Sequence, residues 1–450
     1  MLKLMKSQDD LWYSILPDEV RTLSAELSKV DEILKDKRFF KPFQKKFDTQ
    51  MGRPTLPVET YLRLMYLKAR YQLGYESLIQ EVGDSITWRL FCGISLTQCM
   101  PNPTTLIKSR QRYGDEMVDS LNTLLLEKLR EEKVLKTRKF RTDTTVVEAD
   151  IHHPTDATLL QDAVKTITRV VSKVREVASH ATEHFVDQTK AVKKEILSIA
   201  KVLRRRTKQS WDEINTITQS VIEITETVCQ DAQTVVNKLQ AKSRESRKAV
   251  EQKLANTLEI TKKLIWQARQ VVAGNRKIAN RIISIHDPEA RAIKKGKLGK
   301  TAEFGYKVRI DETDNGFVTG HEVYRGNPSD EEMLTTAVQQ HKERFGSVPR
   351  AVATDRGFSS RQNEKALEEL GVGRISTPTR GKKTKKRTEH ESQAWFKDLQ
   401  RFRAGGEAKI SLLKRRYGLS RSRFRGYVGT KTWVGLGIMA HNLRKAAQVS

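Results

Sequence analysis

Between Arg403 and Arg416 a single carboxylate, Glu407, stands in a field of cations. If this stretch is helical, Arg403, Glu407 and Lys414 follow one another at steps of four and seven and share roughly one face. An acid that can hold a divalent ion, flanked by cations that can hold phosphates, suits phosphodiester chemistry. One carboxylate does little alone, so partners are needed elsewhere in the chain. Asp143 lies in a β-branched run, Thr142, Thr144, Thr145, Val146 and Val147, where an acid is out of place in a purely structural strand. Asp355 ends a short apolar strand at residues 348–354. Two divalent ions about 4 Å apart need a small carboxylate cluster of this kind, and Mg²⁺ takes few protein ligands. By residue type alone Glu148, Asp150, Asp156, Glu389 and Glu391 compete for the same role. Asp355 could equally cap the turn that follows it, and Glu407 could simply pair with Arg403 or Lys414. His152 and His153 are adjacent, face opposite ways on a strand, and so make a poor shared metal site.

The elements that must position these acids are legible in outline. Residues 1–138 read as mostly helical, with two helices on either side of a break at Gly74 and prolines at 54, 57, 101 and 103 marking boundaries. That layout suits a helix-turn-helix region, and Arg53, Arg63, Lys68, Arg70, Arg89, Lys108, Arg110 and Arg112 are its candidate phosphate contacts. Residues 155–287 contain no proline and one glycine, Gly274, and their apolar residues recur at helical spacing. This predicts a helical insert of a few antiparallel helices, with Arg204, Arg205 and Arg206 on a solvated face. Strand signals return at 304–310 and 317–324, joined by the hairpin turn Asp314-Asn315-Gly316. A strand at 348–354, a helix capped by Ser359 or Ser360 and running to Leu370, and a strand at 371–376 follow. A basic loop, 380–387, precedes a helix from about Ser392 through Leu413 and a basic tail. A mixed α/β sheet is implied, with Asp143 on its first strand, Asp355 ending its fourth and Glu407 on the last helix.

The bulk composition narrows the partner. Lys and Arg outnumber Asp and Glu 83 to 55, a net charge of +28 with a pI near 9.9, which points to a polyanion such as nucleic acid. From Arg380 to Gly426 there are 16 Lys or Arg against 4 acids, so the excess is concentrated around Glu407. The cysteines Cys92, Cys99 and Cys229 form no CxxC pair and no zinc spacing, which fits a reducing cytoplasmic compartment. Neither a signal peptide nor a membrane span is expected.

Three separated motifs resemble a known family. Asp143-Thr144-Thr145-Val146-Val147-Glu148-Ala149-Asp150-Ile151-His152-His153-Pro154-Thr155-Asp156 resembles the first-aspartate motif of the DDE transposases of bacterial insertion sequences. Ala353-Thr354-Asp355-Arg356-Gly357-Phe358 resembles the second, and RFRAGGEAKISLLKRRYGLSRSRFRG, residues 401–426, the third. The stretches GRPTLPVETYLRLMYLKARYQLGYESL and DSITWRLFCG are similar to the helical N-terminal domain of these enzymes. Arg403, Glu407 and Lys414 fit the last three positions of the tyrosine–arginine–glutamate–lysine signature, whereas Gln400 stands where the tyrosine would be. The nearest group by these motifs is the one labelled ISNCY.

The resemblance implies an α/β, RNase H-like mixed-sheet core at 139–158 and 288–426. It implies a helical N-terminal DNA-binding domain at 1–138, an all-helical insertion at 159–287 and a C-terminal helix or tail at 427–450. It also implies a transposase that binds terminal inverted repeats, cleaves DNA 3′ ends and joins them to target DNA. Asp143, Asp355 and Glu407 would hold two Mg²⁺ ions, or Mn²⁺. Arg403, Lys414, Arg415, Arg416, Arg421, Arg423, Lys382, Lys383 and Arg53 would contact DNA. A homodimer in a synaptic complex, in the cytoplasm at the nucleoid, completes the expectation. Two alternatives share the same charge: a DNA-organising protein without chemistry, and an inactive, domesticated transposase.

Overall fold

The structure, a computed structural model, describes residues 1–4, 15–47, 54–205, 207, 209–240, 245–294 and 302–449; Arg53 and Arg206 lie outside the described residues. The chain forms two compact units, one of residues 1–150 and 306–450, the other of residues 151–305.

In the first unit the N-terminal region is helical, with α1 (Ala25–Leu34), α2 (Val58–Arg70), α3 (Tyr75–Asp84), α4 (Ile86–Cys92) and α5 (Pro103–Glu131) as its main helices. Local chemistry starts and stops them. Ser24 accepts a hydrogen bond from the Leu27 amide, Asn102 accepts from Thr104 with Pro103 in the first turn, and Gly93 ends α4 in the left-handed conformation. The break at Gly74 is present between α2 and α3. The candidate phosphate contacts on this pair are corrected by the packing, because α2 is buried from Val58 to Lys68. Arg63 is 1% exposed and bonds Asp31 at 2.8 Å. Lys68 donates to the Leu73 carbonyl and lies over the rings of Tyr75, Phe424 and Trp433. Burial, with Arg423 and Arg110 nearby, pushes its ammonium down to about 8. Arg70 pairs with Glu26, and Arg89 donates to the carbonyls of Gly83, Ser95 and Gln98. Arg110 and Arg112 cover the rings of Phe424 and Phe47. Sequence counts a cation as available to a ligand; here most of these cations satisfy carbonyls, carboxylates and rings inside the unit.

The sheet combines one antiparallel hairpin with a parallel half. Its strands are β1 (Lys139–Glu148), β2 (Arg291–Ile293), β3 (Glu303–Thr313), β4 (Val318–Tyr324), β5 (Ala351–Ala353) and β6 (Arg374–Ser376). The order runs β3–β1–β5–β6, with β4 antiparallel to β3, and β1, β5 and β6 parallel. Gly316, at φ 77°, supplies the left-handed residue of the Asp314-Asn315-Gly316 turn between β3 and β4. Helix α10 (Glu331–Phe345) links β4 to β5, and α11 (Arg361–Leu370), capped by Ser360, links β5 to β6. Helices α12 (Lys385–Ser392) and α13 (Ala394–Arg416) follow β6.

Helix α10 and strand β2 are absent from the sequence reading. The α10 signal was present in Met333, Leu334, Ala337, Val338, His341 and Phe345, with Gly346 as the left-handed stop. Alternation along the strands divides the core. Phe140 and Val352 pack with α10 and α11 on one side, while Ala351 and Ala353 pack with Leu399, Trp395 and Phe402 of α13 on the other.

The closing segment, expected as a C-terminal helix or tail, is α14 (Gly426–Val449), buried along most of its length. Two glycines let it in: a Cβ at Gly435 would lie 2.8 Å from Val118, and one at Gly437 2.7 Å from the Tyr417 carbonyl oxygen. Asn442 completes the hydrogen bonding of Val318, accepting from its amide at 3.0 Å and donating to its carbonyl at 2.8 Å. Glu26 ties three helices together, bonding Tyr66 and Arg70 of α2 and Arg444 of α14.

The second unit contains α6 (Asp156–Val177), α7 (Thr189–Leu203), α8 (Gln209–Gln240) and α9 (Glu245–Val272). They enclose a core that includes Val164, Ile167, Val171, Val221, Leu258 and Ile265, among the apolar positions whose spacing predicts helix here. Thr155 opens α6 with a reciprocal cap to Thr158. β2 pairs antiparallel with residues 303–305 at the start of β3.

Two outcomes test this packing. Arg63→Ala leaves Asp31 without its buried partner, so urea unfolding should show a loss of about 3 kcal/mol. DNA affinity of the folded fraction should be unchanged; a stable variant that binds DNA weakly would return Arg63 to a phosphate role. Burial disfavours the charged Glu26, but Arg70, Arg444 and Tyr66 outweigh it and hold the carboxyl down to about 2, against an ordinary 4.5. A depressed acid stabilises the fold above its unfolded value and loses that contribution as pH falls through its folded value. Wild type should therefore lose stability between pH 4.5 and 2 by an increment that is missing in Glu26→Gln, read from urea midpoints.

Candidate active site

The parallel pairing of β1 and β5 sets Lys139 against Ala351, Phe140 against Val352 and Arg141 against Ala353. Asp143 and Asp355 each lie two residues beyond the last of these pairs, Asp143 midway along β1 and Asp355 just past the carboxyl end of the neighbouring β5. Asp143 shares the parity of Arg141, the side on which α13 packs. Both aspartates are half-buried. Asp143 accepts a hydrogen bond from the Thr144 amide at 2.7 Å, and Asp355 caps the turn after β5 by accepting from the Gly357 amide at 2.8 Å.

Helix α13 lies close against β1 because of Gly405 and Gly406. A Cβ on Gly405 would come 2.6 Å from the Arg141 guanidinium. That guanidinium donates to the Phe402 carbonyl and pairs with Glu312 at 2.5 Å. Lys409 reaches Glu312 at 3.4 Å and donates to the Gly316 carbonyl at 2.8 Å; its burial lowers its pKa. Arg141, Glu312, Arg403 and Lys409 line a small cavity together with Asp143. Glu407 is one residue on from the buried Gly406 and so points about a quarter turn away. Its side chain is 66% exposed and pairs with Arg403 at 2.9 Å. Asp143 thus lines the cavity, Asp355 follows the end of the neighbouring parallel strand, and Glu407 lies on the flank of the adjoining helix, one ion pair from the cavity. Among the described residues no group of three or more His, Cys, Asp or Glu lies close enough to hold a metal ion. The hard oxygen donors of these aspartates are of the kind that suits Mg²⁺ or Mn²⁺, and Glu407 is held outside by its pair with Arg403.

Three of the competing acids, Glu148, Asp156 and Glu391, are engaged elsewhere. Glu148 pairs with Arg421 at 3.4 Å, and Asp156 with Arg281 at 2.6 Å. Burial opposes ionisation of Glu391, but Lys383, the Thr379 amide and Arg387 hold it down to about 2. His152 bonds Asp162 while His153 stacks its edge on Phe304, so the two share no ligand. Of the candidate DNA contacts, Lys382, Arg415, Arg416 and Arg423 are exposed and Lys414 is half-buried on the last turn of α13. Arg403, Lys383 and Arg421 are exposed to different degrees and hold carboxylates.

Gln400 is a site residue whose role the sequence does not reveal. Its amide donates to the carbonyls of Thr354 at 3.3 Å and Ser376 at 2.8 Å, and to the Ser376 hydroxyl at 2.9 Å. It therefore pins α13 to the ends of β5 and β6, one residue before Asp355. Its departure from tyrosine was the visible signal; the strand ends it joins were not.

Comparisons with known proteins match two stretches of the chain. Residues 16–112 match the family model described as "Transposase domain (DUF772)", and residues 281–443 match "Transposase DDE domain". The second match takes in Asp355 and Glu407, while Asp143 lies between the two. The "Uncharacterized protein ORF8 in nfe locus" of Rhizobium meliloti is 26% identical over 132 residues, which is 28% of this chain and 64% of that protein. The chain thus spans less than two-thirds of that relative's length. No solved structure matches.

Removing the Gln400 amide should loosen the strand end that carries Asp355. Gln400→Ala is expected to raise the Mn²⁺ concentration for half-saturation about tenfold, measured by calorimetry, the scale of one or two lost hydrogen bonds. Gln400→Glu, which turns a carboxylate on two carbonyls, should be worse. Unchanged Mn²⁺ affinity in both variants would show that Gln400 does not position the site.

Proposed function

Since this chain belongs to the DDE transposases of insertion sequences, we propose that it binds the terminal inverted repeats of its element, cleaves the DNA 3′ ends and joins them to target DNA. The observation that supports the reading is the parallel register of β1 and β5, which puts Asp143 and Asp355 on or just past neighbouring strands, with the helix that bears Glu407 packed against both strands. An RNase H-like core is supported by the β3–β4 hairpin, the parallel β1, β5 and β6, and helices on both faces. The finer placement in the ISNCY-like group is proposed on the motif residues alone.

Asp143, Asp355 and Glu407 are the residues that would hold two Mg²⁺ or Mn²⁺ ions. When bound, such ions supply the acidity that activates a water or a 3′-hydroxyl and stabilises the leaving oxygen. The rest falls to the chain. Gln400 and the Gly357 amide fix the backbone and side chain of Asp355. Arg141, pairing with Glu312 and Phe402, holds α13 against β1. Arg403 has two roles that exclude one another. Paired with Glu407 it keeps the third acid out of the cluster, and a DNA phosphate that takes Arg403 frees that acid. Lys414, Arg415, Arg416, Arg421, Arg423, Lys382 and Lys383 would track the DNA backbone beyond the cut. First, water attacks the phosphodiester and leaves a 3′-hydroxyl; that hydroxyl then attacks a target phosphodiester and displaces a 3′-oxygen there.

The helical region at 1–138 would recognise the element's ends, with Arg53 among its contacts, and the insertion at 159–287 would serve assembly. Synapsis of two ends calls for a homodimer, at the nucleoid in the cytoplasm. No helix among the described residues is long and apolar enough to cross a membrane. The outward Glu407 gives one observation in favour of a non-catalytic, domesticated protein.

Nicking of a plasmid that carries the element's ends, with Mg²⁺ or Mn²⁺, separates the readings. Wild type should cleave. Asp143→Ala, Asp355→Ala and Glu407→Ala should each fall to background while still shifting an end-containing duplex in a gel. Cleavage retained by any one of them removes that residue from the site, and a wild type that binds without cleaving favours the non-catalytic reading.

A further inference from the structure

The residues that follow the two aspartates both meet a further acid, Asp330, which stands immediately before α10. An aspartate in that place ordinarily caps the helix by accepting from its first amides. Asp330 makes no such bond, and its side chain is turned to the sheet instead. Its Oδ1 accepts from the Thr144 hydroxyl of β1 at 3.0 Å and pairs with the Lys307 ammonium of β3 at 2.7 Å. Lys307 is buried and also donates to the Pro328 carbonyl at 2.7 Å, so it anchors the segment leading into α10 to the sheet.

The second oxygen of Asp330 faces the turn after β5. A Cβ on Gly357 would lie 3.1 Å from it, and 2.8 and 3.3 Å from the two carboxylate oxygens of Asp355. Gly357 lies outside the left-handed region, so its backbone does not call for glycine. The two carboxylates packed on it do. Placing one carboxylate near another is costly unless a cation compensates, and Lys307 supplies that cation. Arg380 holds the same turn through the carbonyls of Arg356 and Gly357, and it reaches Glu331 at the start of α10 at 2.6 Å.

One pattern repeats at both acids. The Thr144 amide holds the Asp143 carboxylate while the Thr144 hydroxyl holds Asp330. The Gly357 amide holds the Asp355 carboxylate while the Gly357 α-carbon packs on Asp330. We propose that Asp330 is a positioning residue, which ties β1 to the turn after β5 and so sets the spacing between Asp143 and Asp355. It acts through Thr144 and Gly357. The inference rests on the reading of these two aspartates as metal ligands.

Mn²⁺ titrations of the full chain test it, read by calorimetry and, separately, as the Mn²⁺ dependence of nicking of the end-bearing plasmid. Thr144→Val replaces the hydroxyl by a methyl and leaves Asp330 its pair with Lys307. It should raise the Mn²⁺ concentration for half-saturation about tenfold, the scale of a lost hydrogen bond to a charged group, while nicking recovers at saturating Mn²⁺. Thr144→Ser should restore wild-type affinity. Gly357→Ala sets a methyl against both carboxylates and should bind at least as weakly as Thr144→Val. Asp330→Asn should match Thr144→Val, and the double variant should be no weaker than the weaker single, since both break one link. Asp330→Asn also strands the Lys307 charge, so Thr144→Val and Gly357→Ala decide the matter if that variant fails to fold. Unchanged Mn²⁺ affinity in these two overturns the proposal, as does a loss of unfolding stability in them without a change in affinity. Wild type and variants that bind Mn²⁺ as expected without nicking uphold the link and overturn the transposase reading. A wild type that nicks, with the same Mn²⁺ affinity in every variant, does the reverse.

Discussion

The parallel pairing of β1 with β5 is the constraint on which the site depends. The chain leaves β1 and returns to its neighbour after about two hundred residues, through a second compact unit, a hairpin and a helix. Parallel strands demand such a crossover. The crossover decides which aspartate stands beside which. A slip of one residue would move Asp355 to the other face, toward Phe140 and Val352, and bury it in an apolar cluster. Register is held by that same alternation: Phe140 and Val352 belong to the α10 side, and Ala353 to the α13 side, with small residues on β5 letting Leu399 and Phe402 close in.

Charge is divided between architecture and surface in a way a total of +28 conceals. Arg63, Arg309 and Arg141 are buried or nearly so, each against a carboxylate, and hold helices and strands in place. Such pairs add little net stability but make the loss of one partner costly. Cations open to a polyanion include those of the 380–387 loop, of α13 and of the segment after it, where one side of the helix is committed to β1 and β5 and the other is open. Arg403 stands at the border of the two sides and connects them, since it lines the Asp143 cavity and holds Glu407 outside it.

Much of this was readable in advance, for local reasons. The four long helices of the second unit, the β3–β4 hairpin with its Asp-Asn-Gly turn, and the Ser360-capped helix follow from periodicity and turn chemistry that act over a few residues. The apolar spacing of helix α10 is plain, but it lies between strand signals on either side and stands out only once the fold is seen. Strand β2, three residues long, carries no periodic signal at all. The basic residues of α2 misled because hydrophobic spacing shows which side of a helix is apolar, not that the polar side is covered as well.

The sequence by itself determined the chemistry on offer: an acid on a β-branched strand, an acid at a strand end, an acid among cations, and a surplus of positive charge around the last. These are properties of residue type and near neighbours. Only the tertiary structure decided which acids meet. Asp143 and Asp355 are brought to neighbouring strands by a register set across some two hundred residues, Glu148, Asp156 and Glu391 are withdrawn by partners distant in sequence or folded back on them, and Glu407 is turned outward by its place beside Gly406. The physical reason is that a carboxylate's role depends on what lies within a few ångströms of it, and chain order does not fix that distance.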